Sequence, residues 1–372
     1  MSITDGRPGR TGHGLGTVTP DDDVSALLRA VLDRAQTNAG QAEIYATLWA
    51  QIGRSVQGGK RFRARIVLAT HDHLGGRRSE AAVTVAAAME MLHTAFLIHD
   101  DLIDADTVRR GEPNLAATML ALAQDAGVED GRARRWALAC AVLAGDLALA
   151  QAHELVAQVD VPRPVADRLR SLLSETVFVS AAGELADSCF GLGLHQPTMA
   201  ESLAVADAKT AMYSFQAPLR AGAVLADAPD ALVAELDTVG RHLGRAFQLV
   251  DDLEGVFTPE AVSGKSDLSD LREGKRTPLL LHAQGLPVWA EIAGDVGRPD
   301  LAPADAARVR RALARSEAPG RTDAQVRHEV AQVHARVAGP VVPEAIAPFL
   351  TDLAGDVLAA LEACTTHVEA AR

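Results

Sequence analysis

The feature that most constrains the fold is a nearly uninterrupted apolar run from Ala81 to Ile103, which ends in a group of aspartates. A helix that is apolar on every side has to be surrounded by other helices, so the run predicts the middle of a helical bundle. Asp100, Asp101 and Asp104 lie at its C-terminal end, where carboxylates oppose the helix dipole. Acids in so unfavourable a place predict a functional site rather than a solvated helix end.

The composition also favours helices over strands. Hydrophobic residues make up 48% of the 372 residues, aromatic residues only 3%, and alanine is abundant. Alanine is the best helix former, whereas strands prefer aromatic and β-branched residues. We therefore predict one all-α domain over residues 21–372. It follows a disordered leader at residues 1–20, which are rich in Gly, Thr, Pro and Arg without an apolar period.

Apolar positions at helical spacing predict the other elements of this bundle. Helices are expected at residues 24–49, 136–157, 165–190, 202–225, 232–253 and 343–364, and the second of these is expected to be buried all round. Residues 111–114 predict a turn, and the polar residues 259–276 predict a lid-like loop. Residues 287–303 hold Gly and Pro and predict a surface excursion. No strand-like alternation is present in the sequence.

A second acidic group, Asp251, Asp252 and Glu254, is embedded in another apolar helical run. In the first group, Asp100 and Asp104 are four residues apart and share a helix face. Buried carboxylates repel one another unless something positive lies between them. Two such groups facing across a cavity would hold several Mg²⁺ ions, and Mg²⁺ commonly binds substrate phosphates. The two groups together therefore predict an enzyme that handles a diphosphate.

Cations near these acids fit the same chemistry. Arg109 and Arg110 follow the first group, and arginine binds phosphate with two parallel hydrogen bonds, although a salt bridge to neighbouring acids is an equally good explanation. Lys60 and Arg63 lie in a basic turn at a helix start, where anions are favoured, although the turn alone could simply be solvated. Lys209 lies in an apolar stretch and needs an anionic partner if it is buried.

Charge and cysteine content limit the other possibilities. The net charge of -13 argues against nucleic-acid binding. Cys140, Cys189 and Cys364 are scattered without metal-like spacing and predict buried thiols in a reducing compartment. We predict that no apolar run reaches the ~20 residues of a membrane span, so stable membrane insertion is not expected. The N-terminus lacks the apolar core of a signal peptide, so a cytoplasmic protein is expected.

The order of these elements resembles the trans-isoprenyl diphosphate synthases, the polyprenyl synthetase family. The resemblance covers about residues 55–280 and rests on five motifs. The DDxxD and RRG motifs match residues 100–104 and 109–111, GGKRxR matches residues 58–63, the Lys-Thr pair matches Lys209 and Thr210, FQxxDD matches residues 247–252, and the loop with two Gly-Lys pairs matches residues 264–275.

The resemblance implies a large single-domain bundle of about ten or more helices around a central cavity, usually as a homodimer. It implies condensation of isopentenyl diphosphate with an allylic diphosphate, supported by about three Mg²⁺ ions. The metal ligands would be Asp100, Asp101, Asp104, Asp251 and Asp252. The allylic diphosphate would contact Arg109, Lys209 and Lys265, and isopentenyl diphosphate would contact Lys60, Arg63, His93 and Arg110. Thr210 and Gln248 would stabilise the allylic cation.

One position departs from the family pattern, and another bears on product length. The second motif commonly reads DDxxD, but Gly255 stands where its last carboxylate is expected, which puts metal affinity on that side in doubt. Synthases of the family that make C15 products often carry an aromatic residue five positions before the first acid. Ala95 stands there, with Phe96 next to it, and we expect a C20 product, geranylgeranyl diphosphate, with C15 or longer products as alternatives.

Other kinds of protein remain possible at this stage. A class I terpene cyclase shares the fold and the metal chemistry, but it needs no isopentenyl site and usually lines its cavity with aromatic residues. A noncatalytic subunit that tunes a partner synthase would tend to lose its acidic motifs, and only Gly255 points that way. An unrelated phosphohydrolase would need histidine ligands near the acids, where His99 alone is present.

Overall fold

The computed structural model describes residues 20–40, 42–57, 61–259 and 269–372, with the side chains of Pro20, Asp21, Ser269 and Asp270 left out. The predicted leader lies outside the described residues except for its last residue, Pro20, which begins a helix. Lys60, Lys265 and half of the predicted lid-like loop, residues 260–268, also lie outside them.

The described chain is almost entirely helical. Its first half contains α1 (Pro20–Asn38), α2 (Glu43–Val56), α3 (Phe62–His73), α4 (Ser79–Ile103), α5 (Leu115–Asp125), α6 (Asp130–Ala157) and α7 (Arg163–Gly191). Its second half contains α8 (Met199–Ala206), a π-helix π1 (Asp207–Gln216), α9 (Ala217–Leu225), α10 (Asp230–Phe257), α11 (Ser269–Glu273), α12 (Pro278–Gln284), α13 (Trp289–Ile292), α14 (Pro303–Arg315), α15 (Ala318–Val337) and α16 (Ala347–Ala370). The all-α prediction is confirmed.

Two hydrophobic cores hold the bundle together. The first surrounds α4, which packs against α3 and α6 and buries most of its residues on all sides, as its apolar sequence requires. The second surrounds α10, which packs against π1, α15 and α16. The C-terminal ends of α4 and α10 carry the two acidic groups, so the two central helices place them on one cavity.

A small hairpin follows α4. Strands β1 (Val108–Arg109) and β2 (Glu112–Pro113) pair antiparallel, a feature that the sequence did not predict. Arg110 and Gly111 make the turn with φ of 57° and 77°, the left-handed region that two-residue hairpins use. Arg109, the last residue of β1, contacts the aspartates at the end of α4.

Helix α6 is not buried all round, so that part of the sequence prediction is wrong. Leu138, Val142 and Leu143 are between 40% and 55% exposed. By length and hydropathy alone α4 and α6 could each cross a membrane, contrary to the expectation that no run is long enough. In α4 72% of the most apolar window is buried, as in a core helix of a bundle, whereas in α6 only 39% is buried.

Candidate active site

A cavity of ≈ 1350 Å³ lies between the two cores. Its walls come from α3, α4, α7, π1, α10 and α16. The predicted site residues that line it are Arg63, His93, Asp100, Arg109, Arg110, Lys209, Thr210, Gln248, Asp251 and Asp252.

One face of α4 forms a wall of the cavity. His93, Phe96, Asp100 and Ile103 line it at spacings of three and four residues, which places their side chains above one another on the helix. Ala95 belongs to a different face, where it is fully buried in the first core and is not a lining residue. The bulky group at the cavity surface is therefore Phe96, whose ring packs edge-on against Tyr213 at 5.1 Å between centroids.

Arg109 pairs with the acids of α4. Its Nε donates to Asp101 Oδ1 at 2.7 Å, and its Nη2 lies 3.3 Å from Asp100 Oδ2. Burial acts to lower the pKa of Arg109, but Asp101, Asp100 and Asp106 outweigh it and raise that pKa. Burial raises the pKa of Asp101 to about 6, although Arg109 acts in the opposite direction. The salt-bridge alternative for Arg109 is therefore confirmed, and its phosphate contact stays a prediction.

The last acid of the first motif meets a lysine from the other side of the cavity. Asp104 ends α4, and its Oδ2 accepts from Lys275 Nζ at 2.9 Å. Lys275 also lies 3.0 Å from Glu273 at the end of α11. The sequence places Lys275 at the end of the loop with two Gly-Lys pairs and predicts no contact for it, and the structure brings it onto the first acidic motif.

The π-helix π1 carries the Lys-Thr pair. Lys209 Nζ lies 2.8 Å from Asp187, 3.0 Å from Glu184 and 3.3 Å from Asp100. Burial acts to lower the pKa of Lys209, but the three carboxylates raise it well above its usual value, so the ammonium is retained. The prediction that a buried Lys209 needs an anion is confirmed.

Thr210 and Gln248 form a polar chain that reaches the second motif. Thr210 Oγ1 donates to Gln248 Oε1, and Gln248 Nε2 donates to Asp252 Oδ1 at 2.7 Å. These bonds fix the amide orientation of Gln248 and join π1 to α10 at the cavity surface. The two residues are therefore held as a unit beside the second acidic motif.

A separate group of cations surrounds His93. Arg63 donates to Ser214 Oγ at 2.7 Å and lies over the Tyr213 ring at 4.6 Å. The His93 ring stacks on the same tyrosine at 5.9 Å between centroids. Burial lowers the pKa of His93 well below its usual value, and Arg63, Arg110 and Arg109 add to the effect. The imidazole of His93 is therefore neutral at pH 7, next to the guanidinium groups of Arg63 and Arg110.

Sequence reasoning missed three residues of the site: Glu184, Asp187 and Tyr213. The two acids lie three residues apart on α7 and both line the cavity. Their spacing directly after Gly183, within a helix, was the available signal. Tyr213 had no such signal, because its role depends on the contacts of π1 with α3 and α4.

The site has the donors that a hard cation requires. Asp100, Asp104 and Glu184 can each offer a carboxylate oxygen, and these three oxygens lie within 4.8 Å of one another. Oxygen-only ligand sets suit Mg²⁺ rather than zinc or copper. Asp251 and Asp252 line the same cavity from α10. The residues present therefore fit a magnesium-diphosphate site.

An all-α bundle with acids and buried cations converging on one cavity defines a helical enzyme of the isoprenoid synthase type. The family model described as polyprenyl synthetase matches residues 47–287, and the chain belongs to that family. Its members are prenyltransferases, and the curated relatives are trans-prenyl synthases, which supports head-to-tail condensation by this chain.

Curated relatives differ in product length. The chain is 33% identical over 280 residues to (2E,6E)-farnesyl diphosphate synthase of Mycobacterium tuberculosis, covering 74% of this chain and 70% of the relative. It is 34% identical over 226 residues to geranylgeranyl diphosphate synthase of Sulfolobus acidocaldarius, covering 60% and 62% respectively. It is 35% identical over 244 residues to geranylfarnesyl diphosphate synthase of Aeropyrum pernix, covering 64% and 71%.

Solved structures share the fold over nearly the whole chain. Geranylgeranyl pyrophosphate synthase of Corynebacterium glutamicum, complexed with isoprenyl diphosphate and magnesium, superposes with a TM-score of 0.83 at 27% identity. That match covers 90% of this chain and 96% of the neighbour. Polyprenyl synthase of Caulobacter crescentus, complexed with calcium and isoprenyl diphosphate, superposes at 0.72 with 28% identity, covering 93% and 99%.

Proposed function

We propose that the protein is a Mg²⁺-dependent synthase that condenses isopentenyl diphosphate with an allylic diphosphate to give geranylgeranyl diphosphate. The observation that carries the proposal is the convergence of two acidic motifs and two sets of cations on one cavity. The set around Asp100 includes Arg109, Lys209 and Lys275, and the set around Tyr213 includes Arg63, His93 and Arg110. Two anion sites in one cavity suit a reaction between two diphosphates.

In this proposal Asp100, Asp101, Asp104, Asp251 and Asp252 hold about three Mg²⁺ ions. Bound Mg²⁺ would neutralise charge on the diphosphate as it leaves. Arg109 and Lys209 bind the same diphosphate, and Lys265, outside the described residues, has the same role by resemblance.

The second diphosphate belongs to isopentenyl diphosphate, which binds without metal. Arg63, His93 and Arg110 bind it, and Lys60, outside the described residues, joins them by resemblance. This site keeps the double bond of isopentenyl diphosphate close to the allylic carbon, which lowers the entropic cost of their reaction.

The reaction breaks the bond between the allylic carbon and its diphosphate and forms a carbon–carbon bond to isopentenyl diphosphate. Thr210 and Gln248 direct their oxygen atoms toward the allylic cation, and a pre-oriented dipole stabilises developing charge better than mobile solvent does. The proton that is then lost passes to the departing diphosphate. The products are one diphosphate and an allylic diphosphate longer by five carbons.

The proposed C20 length rests on the α4 wall. Phe96 lies at the cavity surface, and the small Ala95 lies behind it in the core. A single aromatic ring on this part of α4 obstructs the growing chain less than two consecutive large residues would. Relatives that make C15, C20 and C25 diphosphates are about equally similar to the chain, so the support comes from α4 itself.

We also propose that the protein acts as a cytoplasmic homodimer. Cys140, Cys189 and Cys364 are all free thiols, as expected in a reducing compartment. Phe178 and Leu185 on α7 are 78% and 74% exposed, and they add to the apolar face of α6. Exposed apolar side chains on neighbouring helices are typical of a protein interface, and a second copy is the occupant that the family resemblance implies.

Product analysis tests the proposed function. The purified protein is incubated with isopentenyl diphosphate and dimethylallyl, geranyl or farnesyl diphosphate, with and without Mg²⁺, and the dephosphorylated alcohols are separated by chromatography. A Mg²⁺-dependent C20 alcohol is expected. No elongation with any primer would refute the synthase, and a cyclised hydrocarbon in the extract would identify a terpene cyclase instead.

A further inference from the structure

Glu184 reaches the site because α7 and π1 approach each other at backbone distance. A Cβ atom on Gly183 would lie 2.6 Å from the Lys209 backbone nitrogen and 2.8 Å from Ala208 Cβ. Such distances exclude any larger residue without a shift of one helix. Glycine at this position therefore brings the next residue, Glu184, against the Lys209 side chain. The contact between Glu184 and Lys209 is therefore fixed by the backbone packing of α7 against π1 and does not depend on flexible side chains alone.

The Glu184 carboxylate faces the first acidic motif. One of its oxygens lies within 4.8 Å of a carboxylate oxygen of Asp100 and of Asp104. Two oxygens bound to the same Mg²⁺ are at most about 4.2 Å apart, since each Mg–O bond is about 2.1 Å. The three carboxylates thus need to move only slightly to share one ion. Glu184 comes from a different helix, so it would bind from another direction than Asp100 and Asp104.

The Lys209 ammonium neutralises the carboxylates that would otherwise repel one another. This ammonium lies 3.0 Å from Glu184 and 3.3 Å from Asp100, and it also lies 2.8 Å from Asp187. A divalent ion shared by Asp100 and Glu184 would repel the ammonium and take over its neutralising role. Lys209 would keep Asp187 as its anchor and could then turn its remaining donors to a diphosphate.

We propose that Glu184 is a metal ligand of this enzyme, that it shares one divalent ion with Asp100 and Asp104, and that the ion displaces Lys209 from both carboxylates. This inference rests on the proposed function and deepens it. It also bears on the departure at Gly255, where the second motif lacks a carboxylate. A carboxylate ligand from α7 would add to the metal site one carboxylate, where Gly255 removes one from the second motif.

The test measures metal binding directly. Mn²⁺ is titrated into the full-length protein with and without inorganic pyrophosphate, and free Mn²⁺ is counted by electron paramagnetic resonance. Glu184→Gln is compared with Asp187→Asn. Both variants remove one carboxylate that contacts Lys209, on the same helix and three residues apart, but only Glu184 belongs to the cluster with Asp100 and Asp104. Melting curves of both variants verify that they fold.

Glu184→Gln is expected to weaken Mn²⁺ binding at least about tenfold, and Asp187→Asn less than about threefold. Wild-type affinity in Glu184→Gln would overturn the inference. Equal losses in both variants would also overturn it, because the effect would then act through Lys209. If Glu184→Gln does not fold, Glu184→Asp is used instead. Its carboxylate is withdrawn by one methylene, so weaker Mn²⁺ binding is expected. Unchanged Mn²⁺ binding would again overturn the inference.

Elongation by the wild-type protein is measured in parallel, so that two failures can be distinguished. If the wild type elongates and Glu184→Gln binds Mn²⁺ normally, only the metal role of Glu184 fails. If the wild type does not elongate any primer, the proposed function fails, and with it the part of the inference that assigns Glu184 to this enzyme.

Discussion

At the scale of single residues, the acids of the site are held in place by cations before any substrate arrives. Asp100 contacts both Arg109 and Lys209, and Asp104 contacts Lys275. Buried carboxylates without such partners would be costly to ionise. The same cations are the ones proposed to bind diphosphate, so substrate and metal binding must rearrange an existing network of ion pairs.

Asp100→Ala and Asp251→Ala are each expected to lower turnover at least about 100-fold, because each removes a proposed metal ligand where charge develops. The kinetics are measured with saturating primers over a range of Mg²⁺ concentrations, and folding is followed by circular dichroism. Asp167→Ala is the control, since Asp167 is a surface acid of α7 that pairs with Arg170. Full activity in either cavity variant, with the control unchanged, would refute the metal assignment.

His93 is expected to make the protein less stable as the pH falls. Burial keeps its folded pKa below the usual value, so the unfolded chain takes up the proton first as the pH drops through about 6.5. The unfolded state is then favoured by about 1 kcal/mol per pH unit between that value and the folded pKa. Urea unfolding at pH 7.5 and 5.5 should show a larger loss for the wild type than for His93→Gln. Identical losses would mean that the histidine does not contribute.

Phe96 is expected to limit the length of the product. Its ring occupies the cavity wall and packs against Tyr213, so Phe96→Ala opens space on the N-terminal side of the acids. Longer alcohols should appear in the chromatograms, at the expense of C20. Ala95→Phe would place an aromatic residue where C15 synthases of the family often carry one, and it is expected to shorten the product. Because Ala95 is fully buried, that substitution is also expected to strain the core. An unchanged product from Phe96→Ala would show that the limit lies elsewhere.

At the scale of elements, π1 is the part that organises the site, and it is fixed from two sides. Two glycines of α10 let its backbone approach closely: a Cβ on Gly244 would lie 2.3 Å from Ala211 Cα, and one on Gly240 would lie 2.8 Å from Gln216 Cα. Arg245, further along α10, bonds Asp207 at the start of π1 and Glu329 on α15. A π-helix shifts side-chain positions relative to an α-helix, and such segments occur frequently at functional sites.

Gly244→Ala is expected to push π1 away from α10 and to disturb the bond between Thr210 and Gln248. The cost in unfolding free energy should be about 1–3 kcal/mol, as for overpacked cores, together with a lower kcat. Gly355→Ala is the matched control, because a Cβ there meets nothing within 4 Å and the helix should gain about 0.5–1 kcal/mol. Wild-type turnover in Gly244→Ala would show that the close contact is not needed.

The sequence predicted the helices and the residues of the cavity better than it predicted their contacts. The apolar run of α4 determines its burial, and the order of the motifs identifies the family. Glu184 was missed because its role depends on the approach of α7 to π1 at Gly183, which no local pattern shows. The π-helix was missed because its helical spacing resembles that of an ordinary helix. The exposed side of α6 was missed because hydropathy alone does not show which side of an apolar helix is covered.

At the scale of the whole molecule, five of the fourteen exposed large apolar side chains among the described residues lie on one pair of helices. Leu138, Val142 and Leu143 on α6 and Phe178 and Leu185 on α7 are all at least 40% exposed, although these helices also contribute to the first core. Leu185 lines the cavity as well, and its neighbour Glu184 contacts Lys209. An interface on this surface would therefore adjoin the active site, and dimerisation would restrict the motion of the helix that carries Glu184.

Phe178→Asp is expected to convert the proposed dimer into a monomer of 39.1 kDa, measured by size-exclusion chromatography with light scattering. Phe178 is 78% exposed in the single chain, so a charge there costs the monomer little, but it would be buried without a partner in an apolar interface. Val341→Asp is the control, since Val341 is a 41% exposed apolar residue after α15, away from this face. If dimerisation restricts the motion of α7, the monomeric variant should also need more Mg²⁺ for half-maximal turnover. If Phe178→Asp remains a dimer, the interface lies elsewhere.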